Sequence, residues 1–397
     1  MKKTFTLAVA AALAVASFSA RAQTIAVDGV LSATEISSSG YQLLGRYTNP
    51  HSFGDAGLLA LYATADATNV YFFLAGTLET DGSPGTLNHV RNSLQLYVAR
   101  PGVTAVPVGT ALPEPAASTP ITSFKRVSAK LDLPGDFAIG VKGNDMAGQV
   151  QVDGVVYRAG SPATAATKPL NASGVNVLTG LPVAISPAQA TGVYALFANT
   201  VVAFRNSTRL STNPGTATQG GAGSTGLEIS MSRASLGLPA AGGALEVFAL
   251  QNNADGDFFS SDIIPQYTAP ATGADGNGSL QHSPDFTAIA GRQAATLQLT
   301  ATGVLGTKAA AEAAVALRVY PNPGVGQTTV AYQVKTTAQT SVVLTDLLGR
   351  TIRVLDNGVK APGTHATRIS TADVVAGTYL MRVQVGSLVV VRKVMLM

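Results

Sequence analysis

The strongest constraint in this chain is its punctuation. Over roughly the last 80 residues, short runs of alternating apolar and polar residues are cut by turn residues at about 8–12-residue intervals, a rhythm suited to antiparallel strands. Pro321 and Pro323 each fix φ and remove a backbone donor, so Tyr320-Pro321-Asn322-Pro323 opens the region as an extended, non-helical segment. Thr328 to Val334 reads as a strand and Ser341 to Thr345 as another. Asp346-Leu347-Leu348-Gly349-Arg350 then supplies a tight turn, with Gly349 suited to positive φ, before a strand from Thr351 to Leu355. Asp356-Asn357-Gly358 and Ala361-Pro362-Gly363 read as further turns. Gly377 to Val385 and Leu388 to Met397 read as a closing hairpin around Gly386-Ser387. About seven strands in this length predict a small antiparallel, immunoglobulin-like sandwich over 317–397.

Upstream, the same punctuation continues with longer gaps. Ile25 to Val30 reads as a short strand, and Leu58 to Ala63 with Val70 to Ala75 as a hairpin closed by Asp66 to Asn69. Asn92 to Val98 alternates, with Leu94, Leu96 and Val98 on one face and Ser93, Gln95 and Tyr97 on the other. Phe124 to Leu133, Asp136 to Lys142 and Gln149 to Arg158 are expected strands, and Val193 to Phe197 with Thr200 to Phe204 a hairpin. Residues 101–120, 160–190 and 211–226 read as loops. Leu227 to Met231 alternates apolar inward and polar outward, which puts Glu228 on the outer phase, and Ser232 to Gly237 reads as a single helical turn. Leu245 to Leu250 and Ala294 to Thr300 complete a large β-sandwich over 23–300, and the Ala-rich 301–316 is a linker. The fold class is all-β: a large sandwich with long loops followed by a small one.

Met1-Lys2-Lys3, an apolar stretch from Leu7 to Val15 and Ala20-Arg21-Ala22 have the form of a signal peptide over 1–22, with cleavage between Ala22 and Gln23. The apolar stretch is too short to span a bilayer, and the mature chain is expected to have no transmembrane segment. The net charge of +4 is unevenly distributed. Residues 317–397 hold nine basic and three acidic side chains, whereas 23–316 hold fourteen and nineteen, a net of −5. The basic excess therefore lies outside the cargo, which argues against a nucleic-acid partner. With no cysteine, neither a disulfide nor a thiolate metal site is available, and stability must come from the core.

Two resemblances follow from these residues. Tyr320-Pro321-Asn322-Pro323, Asp346-x-x-Gly349-Arg350, Ala376-Gly377-Thr378-Tyr379-Leu380 and Arg392-Lys393 resemble, in order, spacing and position, the type A C-terminal sorting domain of the type IX secretion system. The resemblance implies that 317–397 is recognised by that secretion machinery through Tyr320, Pro321, Asn322, Pro323, Gly349, Gly377, Tyr379 and Lys393. It also implies export across an outer membrane to the cell surface or the medium. Val27-Asp28-Gly29, the Leu59–Leu74 hairpin, the Asn92–Val98 strand and Gly226-Leu227-Glu228-Ile229 with Leu236-Gly237 resemble the family 9 carbohydrate-binding module and its DOMON-like relatives. That resemblance implies a sandwich that binds sugars or, in some relatives, haem.

The chain has no G-x-S-x-G elbow and no H-E-x-x-H pair, and His51, His89, His282 and His365 lie in expected loops without ligand spacing. A non-enzymatic cargo is the expectation. For sugars, an exposed aromatic face is the usual contact, and Tyr97, Tyr157 and Tyr267 are the candidates in a chain without tryptophan. Asn253-x-Asp255-x-Asp257, with Gly256 for the turn, presents oxygen ligands of the kind calcium takes. Other readings are a structural or adhesive surface protein without a small ligand, and an enzyme acting on glycans.

Overall fold

The computed structural model describes residues 24–36, 40–81, 89–143, 148–176, 179–216, 219–267, 279–304, 315–334, 337–347, 349–370, 374–386 and 388–397. The expected signal peptide with Ala22 and Gln23, and residues 305–314 of the expected linker, lie outside them. Among the described residues the protein is all-β, and no helix is long and apolar enough to cross a membrane.

The first fifteen strands are β1 (Gln42–Arg46), β2 (Gly57–Ala65), β3 (Asn69–Thr77), β4 (Thr80–Asp81), β5 (His89–Val90), β6 (Ser93–Ala99), β7 (Phe137–Gly143), β8 (Gln149–Arg158), β9 (Thr164–Asn176), β10 (Val183–Ala184), β11 (Val201–Phe204), β12 (Gly226–Ser232), β13 (Gly242–Asn252), β14 (Phe259–Ile264) and β15 (Ala295–Thr300). One sheet runs β1-β2-β3-β12-β11-β10 and the other β14-β13-β6-β7-β8-β9, with β15 also on β13. The expected β2–β3 hairpin is present, and Asp66 closes it by accepting from the N–H groups of Thr68 and Asn69, both at 2.7 Å. Inward side chains of the two sheets, among them Leu61, Phe72, Leu74, Leu96, Ile139, Val152 and Val247, form one core between them.

Each sheet is also covered on its outer face. Tyr97, Val155, Tyr157, Phe248 and Ile263 on the second sheet meet Val106, Leu112, Phe124, Val127, Leu131 and Phe286 from long loops. Tyr62, Tyr71 and Phe73 on the first sheet meet Leu31 and Tyr41 from the N-terminal segment. β6 is consequently buried on both faces, not on one as its alternation suggests.

These outer layers explain several departures from the sequence reading. Phe124 to Leu133 is not a strand but a covering loop, its N–H groups bonded to other loops (Arg126 to Asp255 O, 2.9 Å; Lys130 to Pro284 O, 3.0 Å). Ile25 to Val30 contributes only a bridge from Val30 to Thr225. Val193 to Phe197 is a 3-10 helix (Gly192–Phe197). Within 160–190, expected to be irregular, β9 pairs with β8 over its length; as an edge strand it tolerates Pro169 in the ladder. Its run of Ala, Thr, Asn and Ser carries too little hydrophobic contrast to announce a strand.

The C-terminal strands are β16 (Arg318–Val325), β17 (Gln327–Val334), β18 (Ala338–Thr345), β19 (Thr351–Lys360), β20 (Gly363–Ser370), β21 (Gly377–Val385) and β22 (Leu388–Leu396), in the order β19-β18-β21-β22-β16-β17-β20. They enclose a core of Val330, Tyr332, Val342, Leu344, Met381, Val383 and Val394. Asp356-Asn357-Gly358 is no turn, since pairing with Ser341 and its neighbours on β18 keeps it in β19. β16 joins the two halves of this sandwich. Arg318 to Tyr320 pair antiparallel with β17, whereas Gly324 pairs in parallel with Leu396 of β22. The β17 ladder is interrupted at Pro321-Asn322-Pro323, where proline removes donors, and resumes at Val325 opposite Gln327. Asn322 supplies replacements: its Nδ2 donates to Lys393 O (3.1 Å) and its Oδ1 accepts from Met395 N (2.8 Å). Replacing Asn322 with Ala is expected to cost the C-terminal sandwich about 1–2 kcal/mol. Amide exchange should accelerate in β22 before any change in β2 or β3, and uniform protection in the variant would refute this role.

Candidate functional site

The three candidate tyrosines form no exposed platform. Tyr97, Tyr157 and Tyr267 are each at most 2% exposed, within the core outside the second sheet. Tyr97 stands on the outer phase of β6 as expected, but the loops close over that face. Its ring meets Phe124 edge-on at 5.9 Å, and its hydroxyl donates to Gln95 Oε1 (2.9 Å).

The Asn253-x-Asp255-x-Asp257 loop joins β13 to β14, and its oxygens already face protein donors. Asn253 Oδ1 accepts from Gly256 N (2.8 Å) and Phe258 N (3.3 Å), while Asn253 Nδ2 donates to Asp257 Oδ1. The Arg126 guanidinium lies 3.1 Å from Asp255 Oδ2 and 3.7 Å from Asp257 Oδ2. Arg126 thus puts positive charge where a bound cation would sit. Gly256 makes this docking possible: its φ is +92°, and a Cβ there would stand 2.5 Å from Ser123 O. Among the described residues no three His, Asp or Glu side chains cluster as metal ligands.

Beside this loop lies an aromatic group that the sequence reading missed. Phe53, from the β1–β2 loop, stacks on Phe258 with ring centres 6.1 Å apart and planes at 28°. His282 meets Phe258 edge-on at 5.6 Å and donates from Nδ1 to Asp257 O (2.7 Å), and among the described residues its Nε2 has no hydrogen-bond partner. Phe53 and Phe258 are partly exposed and His282 is exposed. An aromatic residue inside a Gly/Asp loop, as in Phe53-Gly54-Asp55 and Asp257-Phe258, was the available signal. Behind the group, His51 Nδ1 bonds Asp262 Oδ2, and Asp262 also accepts from Leu58 N (2.8 Å). Gly57 permits the approach, as a Cβ there would lie 2.7 Å from that carboxylate. His51 is therefore a packed side chain, not a solvated one.

Five carboxylates are buried among the described residues, Glu35, Asp136, Asp153, Glu228 and Asp262, and burial raises the last three. Burial pushes the Asp262 carboxyl up despite its bond to His51. Burial likewise pushes Asp153 up to about 6, although it accepts from Ser123 N (2.7 Å) and Gln151 Nε2 (2.6 Å). Glu228, on the phase expected to face solvent, is instead enclosed by the N-terminal segment and accepts from Asp28 N (2.9 Å), Gly29 N (3.0 Å) and Tyr41 OH (2.7 Å). Burial outweighs these three donors and pushes its carboxyl up to about 8. Between about pH 4.5 and 8 the folded state therefore holds a proton that the unfolded chain has released, so stability falls as pH rises through this window. The fall attributable to Glu228 is expected to reach a few kcal/mol. Glu228→Gln should flatten the dependence of the melting temperature on pH, and an unchanged slope would refute the assignment.

The sorting motif occupies the C-terminal sandwich. Tyr320 is 53% exposed, and Lys393 is exposed on β22. Asp346 and Arg350 close the turn between β18 and β19: Asp346 Oδ2 accepts from Arg350 Nε (2.6 Å), and Gly349 adopts φ +84°. Gly377 starts β21 opposite Leu396, and Tyr379 OH donates to Val375 O (2.6 Å) at the approach to that strand. Residues 318–397 match the family model described as the secretion system C-terminal sorting domain. This segment is a type IX secretion sorting domain, and the protein that carries it is a type IX secreted protein. No curated protein matches the chain. Among solved structures it is similar to dimeric latent PorU from Porphyromonas gingivalis, with 11% identity and a TM-score of 0.18 over 90% of this chain and 33% of that one. The chain thus spans about a third of that protein's length, and a likeness at this score carries no argument about the cargo.

Proposed function

We propose that the cargo is a non-enzymatic, carbohydrate-binding β-sandwich, delivered to the cell surface or the medium by its sorting domain. The observation that carries this reading is the grouping, at one loop cluster, of the half-buried Phe53 and Phe258 with the exposed His282. Aromatic faces pack against the apolar face of a pyranose, and nearby polar groups bond its hydroxyls. His282 Nε2 and the rim of the 253–257 loop supply such groups. The resemblance of residues 23–300 to family 9 carbohydrate-binding modules points the same way, with phenylalanine in the role expected of tyrosine.

The loop is held by Arg126 and the Asn253 amide, so calcium is not required for this mode of binding. A glycan array on the full chain, repeated with calcium and with chelator, tests the reading. Saturable binding that Phe258→Ala weakens by about tenfold or more is expected. Binding to no glycan in either condition would leave a structural or adhesive surface protein as the better account.

A further inference from the structure

Most residues of the sorting motif serve the module's own fold. Asn322 ties β16 to β22, Asp346 and Arg350 close the turn around Gly349, and Tyr379 OH donates to Val375 O (2.6 Å). What the module turns to solvent is different in kind. Among the described residues seventeen large hydrophobic side chains are exposed, and twelve of them lie within 318–397.

Strand register gathers several of these on one face. In the β19-β18-β21-β22 half of the sandwich, Val342, Leu344, Met381, Val383, Val390 and Val394 point into the core, so the residues between them point out. Pairing aligns Val354, Val343, Arg382 and Val391 in one outward row across all four strands. The flanking outward rows are Ser341, Gln384 and Val389 on one side and Thr345, Leu380 and Lys393 on the other. Val354 is 56% exposed, Val391 43%, Met395 40% and Val389 39%. The β16-β17-β20 half differs: its outward pairs are Thr329 with Arg368, Ala331 with Ala366 and Gln333 with Thr364, all polar or small. Folding sets the same demand on both outer faces, so the apolar surface of one is a feature of contact with a partner.

Charge narrows the partner. None of the outward residues on these four strands is acidic, whereas Arg382 and Lys393 stand among the valines. Asp356 of β19 lies on the inward phase opposite Val342 and is paired with Lys360 (2.9 Å). An apolar stripe set with cations and free of anions complements an apolar patch bordered by carboxylates. We propose that the outer face of the β19-β18-β21-β22 half is the surface by which the type IX machinery holds this protein, through a component that presents such an acid-bordered apolar patch. The motif residues build the face, and Val354, Val389, Val391, Met395, Arg382 and Lys393 make the contact.

Export of the full chain from a bacterial host with a type IX system tests this, with protein in the medium and on the cell surface measured against protein retained in the cell. Val391→Glu puts an anion at the centre of the face and is expected to cut export about tenfold or more. Arg382→Glu should cut it as well, Arg382→Lys should leave it near normal, and Ala366→Glu on the other outer face should not change it. All three positions face away from the core, so the purified variants should keep the melting temperature of the parent chain. Normal export of Val391→Glu and Arg382→Glu would overturn the proposal, as would an equal loss from Ala366→Glu. Export lost only in variants with a lowered melting temperature would assign the loss to folding and overturn it too. A purified parent chain that sediments as a dimer, which Val391→Glu dissociates without effect on export, would give the face to a second copy of this chain instead.

Discussion

Burial of apolar side chains on both faces of each cargo sheet is the condition on which the rest of that domain depends. Without cysteine the chain has no covalent staple, so its order rests on packing. The core between the sheets, with Phe72, Leu96, Ile139 and Val247, is the first layer of that packing. The outer layers serve a second purpose. Phe124, Val127 and Leu131 settle on one sheet, and Leu31 and Tyr41 on the other, so long segments with few strands of their own are held in place by the sheets beneath. Arg126 reaches Asp255 and Asp257 only because its loop is anchored in this way.

The same arrangement marks how far the sequence could be read. β2, β3, β6, β12 and β13 were legible because each carries a run of strongly apolar residues bounded by turn residues. The C-terminal sandwich has the seven strands expected, although one of the turns read there, Asp356-Asn357-Gly358, lies inside β19. What alternation could not reveal was a second covering layer. It correctly places Tyr97 and Glu228 on the face away from the inter-sheet core, but whether that face meets water depends on residues far away in sequence. Glu228 is covered by Asp28 and Gly29, and Tyr97 by Phe124. The candidate site was missed for a related reason. Phe53 and Phe258 lie about 200 residues apart, and only the docking of the β1–β2 loop along β14 brings them together.

The sorting motif was legible as a string, whereas its mechanics were not. Two prolines in an extended segment announce a break in hydrogen bonding, but they do not say which strand is gained there. In the folded module the break lets one strand serve two partners, and the residue between the prolines ties it to β22. The Asp346–Arg350 turn and the Tyr379 hydroxyl tie down the connections on either side of β18 and β21.

That geometry makes the two ends of the module depend on each other. The module's opening strand lies beside its closing strand: Gly324 is paired with Leu396, and Met397 N donates to Gly324 O (2.9 Å). Without residues 388–397 the module would lack one wall of its core, including Val390, Val394 and Leu396. A module cut short of this strand would keep its earlier turns and still lack the residues that close its core. Order in β16 and in β22 is therefore mutual, each strand supplying the partner the other needs.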